Sequence, residues 1–132
     1  MIKRYCFEDI TTISIILDPV NRISNKAPLE EFLRRISLGE ETYIKILELT
    51  FEAQPIFKTI IYEGELYRVK IDGLNTANPY VKKIVGNRLI KREDNYGIFY
   101  DLYYNDSFIQ NVFWHRKGWY QNSNISKRKW RK

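Results

Sequence analysis

One histidine and the residues beside it are the first place in this chain where chemistry could be done. His115 is the only histidine, and it stands in the run His115-Arg116-Lys117-Gly118-Trp119-Tyr120. An imidazole exchanges protons near neutral pH, a phenol nearby can assist, and fixed cations can hold a phosphate. Metal-independent RNA cleavage needs those parts. A base activates the 2′-hydroxyl, an acid protonates the leaving oxygen, and cations meet the charge that grows on the phosphate. His115 and Tyr120 are the acid–base candidates, and Arg68, with Lys70 and Arg116, is the candidate phosphate holder. Tyr67 and Arg68 alternate across an expected strand, so only one faces such a site, and Arg68 is the choice. The competing reading of a lone strand-end histidine is a packed, hydrogen-bonded ring.

Other chemistries have less behind them. One cysteine and one histidine cannot make a multi-cysteine zinc site, and Glu93, Asp94, Asp101 and Asp106 lack the spacing of a metal loop, so no metal and no cofactor are expected. There is no Gly-rich phosphate-binding loop. Cys6 lies in an apolar stretch, where a buried small hydrophobe is the expectation.

Charge is unevenly placed. Residues 1–66 hold 8 Lys+Arg against 11 Asp+Glu, whereas residues 67–132 hold 14 against 5, and 13 of the 20 aromatic residues lie in this basic half. Cations draw a chain toward a polyanion, and flat rings stack on unpaired bases. Nucleic acid, RNA favoured, is therefore the expected partner. The expected contacts are Lys70, Lys82, Lys83, Arg88, Lys91, Arg92, Arg116, Lys117, Lys127, Arg128, Lys129 and Trp130, gathered with the rings on one exposed surface. The alternatives are a non-catalytic accessory binder of a mobile element and a protein-interaction or inhibitor module docked on an acidic partner. No apolar run approaches the roughly 18–20 residues of a membrane span, and no secretory pattern follows Met1, so a cytoplasmic protein is expected. Oligomeric state is not legible.

These residues need a scaffold. Tyr5, Phe7 and Ile13–Leu17 suggest a strand over 4–17, closed by Asp18-Pro19. Residues 19–27 read as loop. Leu29, Phe32, Leu33 and Ile36 make one helical stripe after Pro28, with Ser24 or Asn25 as caps and Gly39 as the stop. Over 40–54, Glu40-Glu41 and the spacing of Tyr43, Ile44, Leu47 and Phe51 favour a second helix, although Leu47–Glu52 alternates as a strand does. Strand signals follow at Ile56–Tyr62 and Glu65–Asp72 about a Glu63-Gly64 turn, over Val81–Arg92 with a turn at Gly86-Asn87, and at Tyr96–Tyr104 and Phe108–Trp114. The expected fold is α+β, with an N-terminal strand, two helices and an antiparallel meander of four to five strands. Residues 1–121 form one domain and 122–132 a basic tail.

That order resembles the RelE/ParE/HigB-type toxin superfamily, small bacterial proteins many of which cleave messenger RNA on the ribosome. The resemblance is carried by Gly64–Lys70 (GELYRVK), Tyr96–Tyr100 (YGIFY) and Val112–Lys117 (VFWHRK) with Tyr120, about half of the chain. Gly97 stands where that superfamily's third strand usually carries an arginine, and residues 74–95 are an insertion. The resemblance implies an mRNA endonuclease restrained by an antitoxin that covers the basic face.

Overall fold

Period-two alternation governs most of the chain, and it builds sheets. The computed structural model describes residues 5–52 and 54–117. A 3-10 turn at Phe7–Asp9 precedes β1 (Ile15–Leu17), α1 (Ala27–Ser37), β2 (Thr42–Leu49), β3 (Pro55–Glu63), β4 (Leu66–Asp72), β5 (Val81–Gly86), β6 (Arg88–Glu93), β7 (Gly97–Tyr104) and β8 (Ser107–Arg116). Sheet A runs in the order β1-β2-β3-β4-β5 and sheet B in the order β6-β7-β8. Only β1 and β2 pair in parallel; the other neighbours are antiparallel.

The α+β expectation is corrected: among the described residues the protein is mostly β, with one α-helix and eight strands in two sheets. The second helix over 40–54 is instead β2. Thr42, Ile44 and Ile46 are β-branched and all buried on one face, which is a strand's period. Tyr43 points the other way, and Phe51, counted into the helical spacing, is 81% exposed in a turn. Pairing with β3 along all eight positions outweighs the weak preference of Glu and Leu for helix. Among the described residues the strand expected over 4–17 is also shorter, reduced to Ile15–Leu17. The meander of four to five strands becomes six strands shared between two sheets, with Gly86-Asn87 joining β5 of one sheet to β6 of the other.

Helix α1 matches its stripe. Leu29 and Phe32 are buried, with Leu33 and Ile36 packed at the margin. Asn25 Oδ1 accepts the Ala27 N–H at 3.0 Å, whereas Ser24 Oγ accepts from Ile16 instead. The core joins this helix, the inner face of sheet A (Ile44, Ile46, Ile60, Val69, Ile71) and the inner face of sheet B (Tyr100, Leu102, Val112, Phe113). Lys58 also points inward. Its Nζ donates to Glu48 Oε2 at 2.8 Å and to the Val112 carbonyl at 2.6 Å, so an inner lysine ties β3 to β8.

The chain passes from one sheet to the other at Gly86-Asn87. A Cβ on Gly86 would lie 2.5 Å from the Tyr103 carbonyl oxygen and 2.6 Å from the Leu102 side chain, so only glycine fits this crossing. The Asn87 N–H then donates to that same carbonyl at 2.9 Å. This fixes which residues of β5 and β6 face outward, and with them both charged surfaces.

Candidate nucleic-acid interface

Of the expected catalytic set, the two described members, His115 and Arg68, do not come together. His115 follows Phe113 on the inward side of β8, is 1% exposed, and lies 6.3 Å from Tyr100 ring to ring. Its Nδ1 is 3.1 Å from the Arg116 carbonyl; a carbonyl only accepts, so Nδ1 carries the proton of that bond. Burial lowers the imidazole's pKa, helped by the charges of Lys26 and Lys91, while the bond to Arg116 raises it. Burial thus favours the neutral ring and seals it from solvent, as in a packed, hydrogen-bonded histidine. Arg68 leaves the opposite side of the core. Between inward Tyr67 and Val69, it projects from the outer face of sheet A and bonds Glu63 Oε1 and the Tyr5 carbonyl, each at 2.8 Å. Tyr120, and with it Lys127, Arg128, Lys129 and Trp130, lies outside the described residues.

The described cations of the expected set do not form one surface either. Lys70 and Lys83 face outward from sheet A, opposite one another in register. Lys82 alternates to the inner side, where its Nζ donates to Gln110 of β8 at 2.6 Å. Lys91 pairs with inward-facing Tyr100 and so leaves β6 on the side opposite to Arg92. Arg116 donates to the Val20 carbonyl at 2.8 Å, and Lys117 meets Glu93 at 2.9 Å and the Asp94 carbonyl at 3.0 Å. These last two hold loops. Arg88, 3.6 Å from the Asp106 carboxylate, and Arg92, on Asp101, keep about half of their side chains exposed on one outward face.

Both arginines stand on the outer face of sheet B, and the strand registers arrange that face in three transverse rows. The first is Arg92–Phe99–Trp114, the second Ile90–Asp101–Asn111, the third Arg88–Tyr103–Phe108. In the first row the Arg92 guanidinium sits 4.4 Å from the centroid of the Phe99 ring, and Phe99 stacks on Trp114 at 5.1 Å with planes 17° apart. In the third, Tyr103 meets Phe108 edge-on at 5.6 Å. Neighbouring strands are about 4.8 Å apart and Phe99 lies four residues from Tyr103, so the two aromatic rows stand about 13 Å apart.

The middle row locks the first in place. Asp101 is 4% exposed, and its carboxylate accepts from Arg92 Nε at 2.8 Å and from Asn111 Nδ2 at 2.9 Å. Burial pushes the Asp101 pKa up, but the bonds from Arg92 and Asn111 outweigh it and hold the group below its ordinary value. An ionised, pinned carboxylate keeps the guanidinium over Phe99, with the Arg92 side chain half exposed. Gly97 completes the arrangement. A Cβ there would lie 2.7 Å from the Trp114 ring, so the missing side chain is what lets the indole lie down on the sheet.

Arg88 and Arg92 belong to the cation set read from sequence; Phe99, Tyr103, Phe108 and Trp114 do not. Their signal was the alternation of Phe99, Asp101 and Tyr103 along one strand. The register joining them to β8 carries irregularities at Tyr100/Asp101 and Leu102/Tyr103, which no sequence pattern announces. Among the described residues no group of three or more His, Cys, Asp or Glu could hold a metal, and no helix is long and apolar enough to cross a membrane. Compared with protein-family models, with curated proteins and with solved structures, the chain finds no match.

Proposed function

We propose that this protein binds single-stranded nucleic acid, with RNA the favoured ligand, on the outer face of β6, β7 and β8, and that it binds without cutting. The observation that carries this is the pair of Arg–aromatic–aromatic rows. Every base offers a π face, so stacking on Phe99, Trp114, Tyr103 or Phe108 needs no particular sequence. Guanidinium groups beside the rings add donors for phosphate oxygens and cation–π contact. RNA is favoured because its loops and ends leave bases unstacked and reachable. Cleavage is left out because Arg68 and His115 face away from one another across the core and His115 is sealed. The protein is a positioning or protecting partner rather than a nuclease.

A labelled single-stranded oligonucleotide of about 12 nucleotides tests this by fluorescence anisotropy. Between about 50 and 200 mM salt, log K should fall linearly with log[salt], at about 0.7 per phosphate contacted. The oligonucleotide should be recovered at full length. Failure to bind at the low salt, or binding that Phe99→Ala leaves untouched, overturns the proposal. Binding with stoichiometric cleavage would return the chain to the nuclease reading.

A further inference from the structure

A second cation array lies on the other side of the molecule, and its chemistry differs. The registers of sheet A align Lys45, Thr59, Lys70 and Lys83 in one transverse row across β2 to β5. Alternation places all of them outward, since Ile44, Ile46, Ile60, Val69 and Ile71 on these strands belong to the core. Lys70 and Lys83 are directly opposite, which brings their Cβ atoms to about 4.5–5.5 Å, and like charges so placed destabilise a pair.

Among the described residues no carboxylate forms an ion pair with either lysine, although Asp72 lines the hollow of Lys70 and Glu8 that of Lys83. Glu63 is taken by Arg68 and by the Tyr5 N–H, and Asp72 Oδ1 accepts the Leu74 N–H at 3.0 Å. Glu8 lines the hollow that holds Lys83 without pairing to it. Lys45 differs, because its Nζ donates to the Ile10 carbonyl at 3.1 Å. Neither Lys70 nor Lys83 makes an ion pair among the described residues.

The row is also walled. Residues 5–10 cross the face, fixed by Tyr5 on Glu63, by Phe7 on Arg68 at 5.5 Å, and by the Ile10 carbonyl on Lys45. Phe7 lines two neighbouring hollows. One of about 400 Å³ holds Lys83 and Arg68 between Tyr5, Phe7 and Val85, and one of about 190 Å³ holds Lys70, Lys45 and Thr59 beside Asp72.

We propose that Lys70 and Lys83 form a phosphate site for a small phosphomonoester, with the phosphate across the two ammonium groups and the organic body in the larger hollow against Phe7, Tyr5 and Val85. Ammonium groups suit a compact dianion as point charges, and a bridging phosphate removes the repulsion that the register imposes. The site is independent of the nucleic-acid face, which lies beyond the core on sheet B.

Amide chemical shifts test it, with inorganic phosphate titrated against sodium chloride at matched ionic strength, followed by phenyl phosphate. Phosphate should move the amides of Thr59, Lys70 and Lys83 where chloride does not, and phenyl phosphate should bind at least about fivefold tighter. Lys70→Gln and Lys83→Gln should each weaken phosphate about tenfold or more. Lys83→Glu gives Lys70 a partner, so it should raise the thermal midpoint in chloride and abolish the phosphate response. A variant carrying Phe99→Ala and Trp114→Ala should keep the whole response. Equal shifts in chloride, or an undiminished response in Lys83→Glu, overturns the site. Phenyl phosphate no tighter than phosphate overturns the phosphomonoester assignment.

Discussion

The two outer faces of this protein use the same alternation to display different kinds of positive charge. On sheet A the outward ammonium groups of Lys45, Lys70 and Lys83 fall in one row with Thr59, the outward Arg68 guanidinium is held by Glu63 and the Tyr5 carbonyl, and residues 5–10 lie across them. On sheet B the outward cations Arg88 and Arg92 each head a row of rings. An ammonium is a strongly hydrated point charge, whereas a guanidinium is planar, weakly hydrated and stacks. The first face therefore suits a compact anion in a walled hollow, and the second an extended ligand with flat groups. Net charge alone would have treated both faces as one basic surface; the residue types and what lies between them separate the two.

The strongest way to break the comparison is to remove what both faces share. Phe113 is 1% exposed at the centre of the joint core, stacked on Tyr100 at 4.7 Å. Phe113→Ala should cost about 3–5 kcal/mol of stability, measured by urea unfolding, and weaken both ligands together. If one face kept its ligand in that variant, the sheets would be holding their surfaces independently.

Next in size is the loss of a ring from sheet B. Phe99→Ala or Trp114→Ala should each cost about 1–3 kcal/mol of oligonucleotide affinity, while leaving the response of sheet A to phosphate unchanged. Anisotropy on variants shown by circular dichroism to be folded decides this. Equal losses on both faces would mean that the substitutions act through the fold.

His115 gives a pH test of the core between the faces. Its folded-state pKa is depressed chiefly by burial, so below the ordinary value of 6.5 the unfolded chain takes up a proton that the native ring resists. Stability should therefore fall as pH drops from 6.5 toward the depressed value, by at most about 1.4 kcal/mol per pH unit, and be insensitive to this group above 6.5. His115→Gln should flatten that slope in urea titrations at successive pH values. A slope unchanged by the substitution would put the acid sensitivity on other groups.

How far this was legible in the sequence depends on which residues one asks about. The stripe of α1 and the hairpin of β3 and β4 were plain, since periodicity and turn chemistry agree there. The segment 42–49 was not. Tyr43-Ile44 and Leu47 fit a helix as well as a strand, and only the partner β3, distant in no local pattern, decides. Arg88 and Arg92 were read as nucleic-acid contacts, but so were Lys82 and Lys91, one residue out of phase with the outward faces. The crossing at Gly86-Asn87 sets that phase through a close approach to Tyr103, a contact 17 residues away that composition cannot express. A lone histidine beside Arg116 and Lys117 has the composition of a phosphate site, but the strand turns His115 into the core, away from the face of Arg92.

The smallest expected effect sharpens that point about phase. Arg88 and Lys91 sit three residues apart on β6, both exposed, yet on opposite sides of it. If the rows on the outer face hold a nucleic-acid strand, Arg88→Gln removes one phosphate contact and should reduce the salt slope of binding by about 0.7, with only a modest loss of affinity. Lys91→Gln removes the same charge from the other side and should leave that slope where it was. Screening extends over about 8–10 Å at ordinary salt, so a nonspecific field would weigh the two substitutions alike. Equal slopes in the two variants would therefore assign binding to net charge, and unequal slopes to the face that carries Arg88.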